Sequence, residues 1–500
     1  MKVKHALKKR KWGFILSGVQ VIISFVLFGL IAKLNVLQLK YMVILAAVIL
    51  FVDVYVVMSQ FSRKLHWVGK VCSVLLCCLL LLGSSYLSKA HSTLDHVTEK
   101  EDQVDEMSVV VLKDNAAEAL SDIADRPFGI QAAVDRDHTD QTIEDINKAL
   151  KTEIQIKEFE DVEPLVQALY DKDVEAIIIN EAFRNMILEN HENFDKDTRI
   201  LDAYTKKEDL QIEVKEQEVT EEIFHVYLSG IDTYGSISNT SRSDVNIIAT
   251  VNPMKKQILL TTTPRDYYVT TTVSGTMPDK LTHAGIYGVD CSIGTLETLY
   301  GIDISYYVKV NFTGFIKIVD ALGGVTVHSD YNFRSDWGPS FVKGDNHVNG
   351  EQALAFARER HHLPGGDNQR GKDQQYLLKA IFEKATSPSI IKNFNKVMDS
   401  VAESVKTNMP SSDITKLMKM QLNDMASWEI VMVQATGSNS SARTYSIPSK
   451  NQYVMRPDLN SVEVIKEMLK QMEAGETVTE DTYKQLLEQK SAGTAGTGQQ

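Results

Sequence analysis

Arg358-Glu359-Arg360, with Asp367, Arg370 and Gln374 close behind, gathers guanidinium groups in a chain whose charge runs the other way. The 500 residues hold 53 Lys and Arg against 66 Asp and Glu, a net charge of −13. Beyond residue 89 the balance reaches −24, and three of the 12 arginines there fall between positions 358 and 370. Arginine presents a planar fork of donors matched to phosphate oxygens, whereas lysine offers a hydrated point charge. An arginine cluster against a repelling background points to one specific phosphate-bearing ligand. The same acidic balance argues against nucleic acid, whose binding needs a basic face.

Spacing says how these groups would meet. Asn349-Gly350-Glu351-Gln352 has the form of a capped helix start, and Ala353, Phe356 and Ala357 then share one helical face. On a continuing helix Arg358 and Arg360 would diverge by about 200°, while alternate residues of extended chain share a side. If both serve one ligand, the helix must end near Ala357. Leu363-Pro364-Gly365-Gly366 reads as a loop and Asp367 as the cap of a new helix. Arg370 and Gln374, four apart on it, stand together. Leu377, Leu378 and Ile381 continue near that side, so a polar head sits above an apolar wall, an arrangement suited to an amphiphile. Upstream, Asp232 ends a strand beside a glycine, Arg242 and Asp244 alternate before the next strand, and Arg265 follows Thr263-Pro264. Carboxylates are natural ligands of Mg²⁺, usually with phosphate oxygens and water. Adjacent side chains rarely converge, so His361-His362 is not read as a metal pair.

The elements that must position these residues start in a membrane. Phe14–Ala32, Tyr41–Met58 and Val71–Leu87 are each about long enough to cross a bilayer as a helix, roughly 17–25 residues. A cleaved signal peptide, with one shorter apolar stretch, fits poorly. Lys2, Lys4, Lys8, Lys9, Arg10 and Lys11 precede the first span, and Arg63, Lys64 and Lys70 lie between the second and third. The positive-inside rule then places the N-terminus in the cytoplasm and everything after about Ser88 outside. Asp53, with no second intramembrane charge for a relay, reads as packed against a neighbouring helix or protonated. Cys72, Cys77 and Cys78 fall in the third span. Cys291, alone outside, reads as a small buried apolar residue.

Residues 89–106 read as a polar linker. Strands alternating with helical patterns over 107–215 predict a small α/β unit with a parallel sheet. Residues 223–480 predict a second α/β unit, an α/β/α sandwich on a mixed central sheet. In it, Val245–Val251 and Gln257–Thr263 form a hairpin about Asn252-Pro253. Residues 481–500 read as a disordered tail.

Together, Gly230-Ile231-Asp232, Ser241-Arg242-Ser243-Asp244, Pro264-Arg265-Asp266, His283-Ala284-Gly285-Ile286-Tyr287-Gly288, Ala357-Arg358-Glu359-Arg360 and Asp367-Asn368-Gln369-Arg370 with Gln374 resemble the LytR-CpsA-Psr family. The likeness is specifically to its capsule-associated streptococcal type with three spans. Ser243 stands where Thr is commoner. The resemblance covers the spans, the accessory unit and the core from about 225 to 384. It implies a phosphotransferase of polyprenyl-pyrophosphate-linked glycopolymers that joins capsular polysaccharide or teichoic acid to peptidoglycan, with a pyrophosphatase side activity. By the same resemblance Asp232 and Asp244 hold Mg²⁺, with Mn²⁺ as the alternative. Arg242, Arg265, Arg358, Arg360, Arg370 and Gln374 bind the pyrophosphate, and Arg242, Asp244 and Arg265 are the catalytic group. The implied partners are the lipid-linked polysaccharide, peptidoglycan, the membrane and capsule-assembly proteins. A protein that holds the lipid-linked polymer without turning it over, as a regulator or assembly factor, would carry the same residues.

Overall fold

The computed structural model describes residues 2–62, 64–99, 102–209, 217–231, 237–387 and 390–497. Its first 97 residues are three helices, Lys2–Leu34, Leu39–Ser59 and His66–Val97. The apolar parts of all three are long enough to cross a membrane. Asp53 packs between helices, accepting hydrogen bonds from Gln20 Nε2 at 2.6 Å and Ser24 Oγ at 3.2 Å. Such internal partners are what a polar group remote from water requires.

The third helix corrects the expected linker over 89–106. It continues without a break to Val97, because Ala90, Thr93 and Val97 recur on one face and are buried. That face docks on the helix Ile390–Ser404: Tyr86 packs on Phe394 with ring centroids 5.3 Å apart, Lys89 pairs with Asp399, and Thr93 Oγ1 donates to Met398 O. The charges around this stripe give it a polar composition that hides its periodicity. At about 1.5 Å per residue, the 32-residue helix is longer than a bilayer's apolar core requires, and its C-terminal end packs on the α/β part directly.

A strand follows at once, Asp102–Leu112, earlier than expected. The accessory sheet runs in the order Gln155–Phe159, Pro127–Gln131, Ala176–Asn180, Asp102–Leu112, Thr198–Asp209. Its first three strands are parallel, as expected; the last two pair antiparallel, so the sheet as a whole is mixed. Thr198–Asp209 is the strand whose charged sequence, ending in Lys206-Lys207-Glu208-Asp209, conceals it.

The sandwich is as expected. Its six-stranded mixed sheet has the order Val405–Thr407, Tyr306–Asn311, Phe224–Ile231, Ser243–Asn252, Gln257–Thr262, Glu429–Gln434. The hairpin about Asn252-Pro253 supplies its fourth and fifth strands. Alternation assigns the faces: Tyr227, Ile248, Leu259 and Tyr307 pack beneath the helices Val289–Tyr300 and Leu459–Glu473. Phe224, Val226, Ile247 and Tyr306 point to the other face, toward Leu378, Ile414 and Leu417. Cys291 is buried among the packed side chains. Over 481–497 the expected disordered tail is instead part of the helix Glu480–Thr497, because Tyr483, Leu486 and Leu487 pack on the sandwich and Tyr483 Oη donates to Gln434 O at 2.9 Å; residues 498–500 lie outside the described residues.

The helix Asp367–Thr386 lies across this sheet and buries Asp373 completely. Burial pushes the Asp373 carboxyl up to about 7. Below about pH 4 both folded and unfolded states are protonated. Between pH 4 and 7 the unfolded state ionises first, so the fold loses stability as pH rises. Asp373→Asn is expected to remove this slope, a gain at pH 8 on the order of 2–4 kcal/mol. Denaturant titrations of both proteins at pH 5 and pH 8 check it, and equal slopes would refute it.

Candidate phosphate-binding site

The helix that starts at Asn349 closes its first turn as a capping box, with Asn349 Oδ1 accepting from Gln352 N and Gln352 Oε1 from Asn349 N. It ends at Arg358, and Glu359 is extended with φ −66° and ψ 135°. The break therefore falls one residue beyond Ala357. Its cause is Glu359, buried completely, whose carboxylate accepts backbone N–H groups of Asp336, Arg360 and His362 at 2.8, 2.8 and 3.1 Å. Burial raises the carboxyl's pKa, but those N–H groups more than offset it and hold Glu359 ionised. Nothing in the sequence singled out Glu359 from the two arginines around it.

On either side of the break, Arg358 and Arg360 line the same cavity. The Arg358 guanidinium lies between two aromatic rings, 4.6 Å from the centroid of Phe312 and 4.5 Å from that of Trp337. Faces packed this way leave the in-plane N–H fork for an anion. Arg360 is exposed, with Nε 3.2 Å from His361 Nε2. His361 and His362 turn to Asp336, at 2.8 and 3.4 Å. The Asp336, Glu359 and His362 ligand atoms lie within 4.8 Å of one another, but the Glu359 oxygens already serve backbone donors.

The next helix begins at Asp367 after Gly366, so Asp367 is its first residue and not the expected cap; it pairs with Arg370. Gln374 donates to Ala357 O at 3.1 Å, taking up a carbonyl orphaned where the first helix stops. Arg370, Gln374, Leu377, Leu378 and Ile381 all line the cavity, as their spacing implied.

The upstream motifs form the opposite wall. Arg265 Nη1 donates to Asp244 Oδ1 at 2.6 Å, and Nε lies 3.8 Å from Asp266. Arg242 is buried and pairs with Glu189, whose carboxylate also stands 3.7 Å from Arg265. Arg242 and Asp244 thus face one cluster, as alternation required. Asp244 and Arg265 line the cavity, whereas Arg242 is not among its lining residues. Burial opposes ionisation of Asp244, but Arg265, Arg242 and Arg370 outweigh it and hold the carboxyl below its ordinary range. At Asp367 the balance reverses: burial, with Asp266 alongside, pushes the carboxyl up. Burial, helped by Arg265, pulls Arg370 down. Asp232 lies outside the described residues, just past a register shift at Gly230/Ile231.

The cavity measures about 360 Å³. Much of its lining is apolar, with Leu228 and Val245 from the sheet and Phe315, Ile318 and Leu377 from the helices. Charged groups stand together at Asp244, Arg265, Arg358, Arg360 and Arg370. A lining of these two kinds has the chemistry to hold an anionic head beside an apolar chain.

The sequence profile of the LytR_cpsA_psr family matches residues 191–471, more than half of the chain. The chain belongs to that family. It is 35% identical over 213 residues to the polyisoprenyl-teichoic acid–peptidoglycan teichoic acid transferase TagU of Bacillus mycoides, covering 42% of this chain and 69% of that protein. Against TagU of Enterococcus faecalis it is 36% identical over 199 residues, covering 39% and 65%. The crystal structure of TagV from B. subtilis shares 28% identity and covers 52% of this chain and 99% of that one, with a TM-score of 0.43.

The motif His283–Gly288 serves the site through packing. Gly285 lies against the Ser241–Ser243 backbone, where an added Cβ would fall 2.7 Å from Ser241 O and 2.8 Å from Ser243 N. Backbone cannot yield there without moving Arg242 and Asp244. Gly285→Ala is expected to cost about 1–3 kcal/mol of stability and to lower head-group affinity of the folded protein at least tenfold. Thermal melting beside lipid-binding titration reads both, and wild-type affinity in the folded variant would contradict this role.

Proposed function

We propose that this chain transfers a glycopolymer from a polyprenyl pyrophosphate to peptidoglycan on the outer side of the membrane. The observation that carries the reading is the division of one cavity between an arginine mouth and an apolar interior. Phosphoryl transfer is accelerated mainly by positioning and by neutralising charge on phosphate oxygens. Arg265, Arg358, Arg360 and Arg370 meet that need at the mouth, with Arg242 joined to Arg265 through Glu189. The polyprenyl chain lies between the sheet and the helices. A peptidoglycan sugar hydroxyl forms a bond to the glycan-bearing phosphorus and loses its proton; the pyrophosphate bridge breaks, and polyprenyl phosphate leaves.

The donor chemistry fits Mg²⁺. Asp244 is held ionised, and the contacts from Arg265 and Thr282 both reach Oδ1, so Oδ2 is the atom that would meet the cation, with Asp232 as the second carboxylate. The ion would add positive charge at the phosphate oxygens; Mn²⁺ would serve the same oxygen ligands. The polymer we favour is capsular polysaccharide, with teichoic acid as the alternative, because the three spans and accessory unit follow the capsule-associated pattern. The N-terminus is then cytoplasmic. Asn35, between the first two spans, meets Lys419 of the sandwich at 3.2 Å, which supports a sandwich seated at the outer surface.

The full-length protein with Mg²⁺, a polyprenyl-pyrophosphate-linked glycan and peptidoglycan is expected to yield glycan-bearing peptidoglycan and polyprenyl phosphate. Arg265→Ala should lower turnover by roughly 10³-fold or more, on the scale of losing a charge-stabilising group. Tight lipid binding without turnover in the presence of acceptor would favour the holding-protein reading instead.

A further inference from the structure

Glu189 reaches the arginine cluster from the accessory unit, outside the residues matched by the family profile. The short helix that bears it, Arg184–Asn190, is firmly placed. Met186 and Ile187 are buried in a core that also takes in Ile286 and Ile447 of the sandwich. Asn190 Nδ2 and Lys450 Nζ both bond Glu163, at 2.6 and 2.7 Å, and Ser449 N donates to Asp161 at 2.8 Å. The backbone of Glu189 is therefore fixed relative to the site, while 42% of its side chain is exposed to solvent. Its Oε1 accepts from Arg242 Nη1 and faces Arg265 Nη2 at 3.7 Å. Burial works against the charge, but Arg242, Arg265 and then Lys280 outweigh it, so the carboxylate stays ionised.

A carboxylate and a phosphate oxygen seek the same guanidinium edge. We propose that Glu189 is a positioning residue acting as the exchangeable counter-ion of Arg242 and Arg265. It holds the two guanidiniums side by side in the empty site, yields to the donor pyrophosphate, and returns as the product phosphate departs. This inference rests on the phosphate-binding reading of the site. Its consequence is opposite to that of an ordinary interface ion pair: removing the charge tightens the head group and slows its release.

The test uses the full chain in nanodiscs, with farnesyl pyrophosphate titrated calorimetrically into wild type, Glu189→Gln and Arg265→Ala. Glu189→Gln keeps an oxygen for Arg242 and is expected to bind roughly five- to tenfold more tightly, the effect of one screened charge near 4 Å. In turnover, KM and kcat should fall together. If wild type binds and Arg265→Ala does not, unchanged or weaker binding by Glu189→Gln overturns the counter-ion role and leaves the site standing. If wild type fails to bind, or Arg265→Ala binds equally well, the site reading falls and this inference with it.

Discussion

Guanidinium groups repel one another, and gathering five of them around one cavity, four of them wholly or partly buried, requires carboxylates placed between them. The structure meets that constraint with Asp244 against Arg265, Asp266 beside both, Asp367 against Arg370 and Glu189 against Arg242. The pairs at Asp244, Asp266 and Asp367 are removed from water, where desolvation opposes ion pairing and an unmatched partner is costly, while Glu189 keeps part of its side chain in solvent. The arginines are thus held in position before a ligand arrives, so the ordering cost falls on folding. An anion entering this mouth exchanges one set of oxygens for another.

That electrostatic frame depends on a backbone event. The helix from Gly350 stops at Arg358 because the buried Glu359 carboxylate gathers the N–H groups of the turn beyond it. An unbroken helix would carry Arg360 away from Arg358. Phe312 and Trp337 then fix Arg358 from both sides, and Gln374 takes the carbonyl of Ala357. The apolar cavity below comes from the same elements: the helix carrying Arg370 and Gln374 at its start carries Leu377, Leu378 and Ile381 one turn later.

A break near Ala357, the apolar wall that follows the polar groups on the Arg370 helix, and the shared side of Arg242 and Asp244 were legible because each follows from helix or strand periodicity. The sandwich was legible from its alternating strands and its hairpin. What escaped notice depended on contacts distant in sequence. Ala90, Thr93 and Val97 make a helical stripe only because the Ile390–Ser404 helix lies against them, and Tyr483 makes a tail into a packed helix. Glu189 had no local signal at all, since its partners stand 53 and 76 positions away. Asp367 was misplaced by a single residue, enough to change a cap into an ion-pair partner.

The central claim is that one ligand spans the arginine mouth and the apolar cavity. A structure of the full chain with a bound polyprenyl pyrophosphate tests it most directly. The account predicts phosphate density among Arg265, Arg358, Arg360 and Arg370, with the chain running between Val308 and Leu378. A head group elsewhere, or a chain lying on the outer surface with the cavity unfilled, would contradict it.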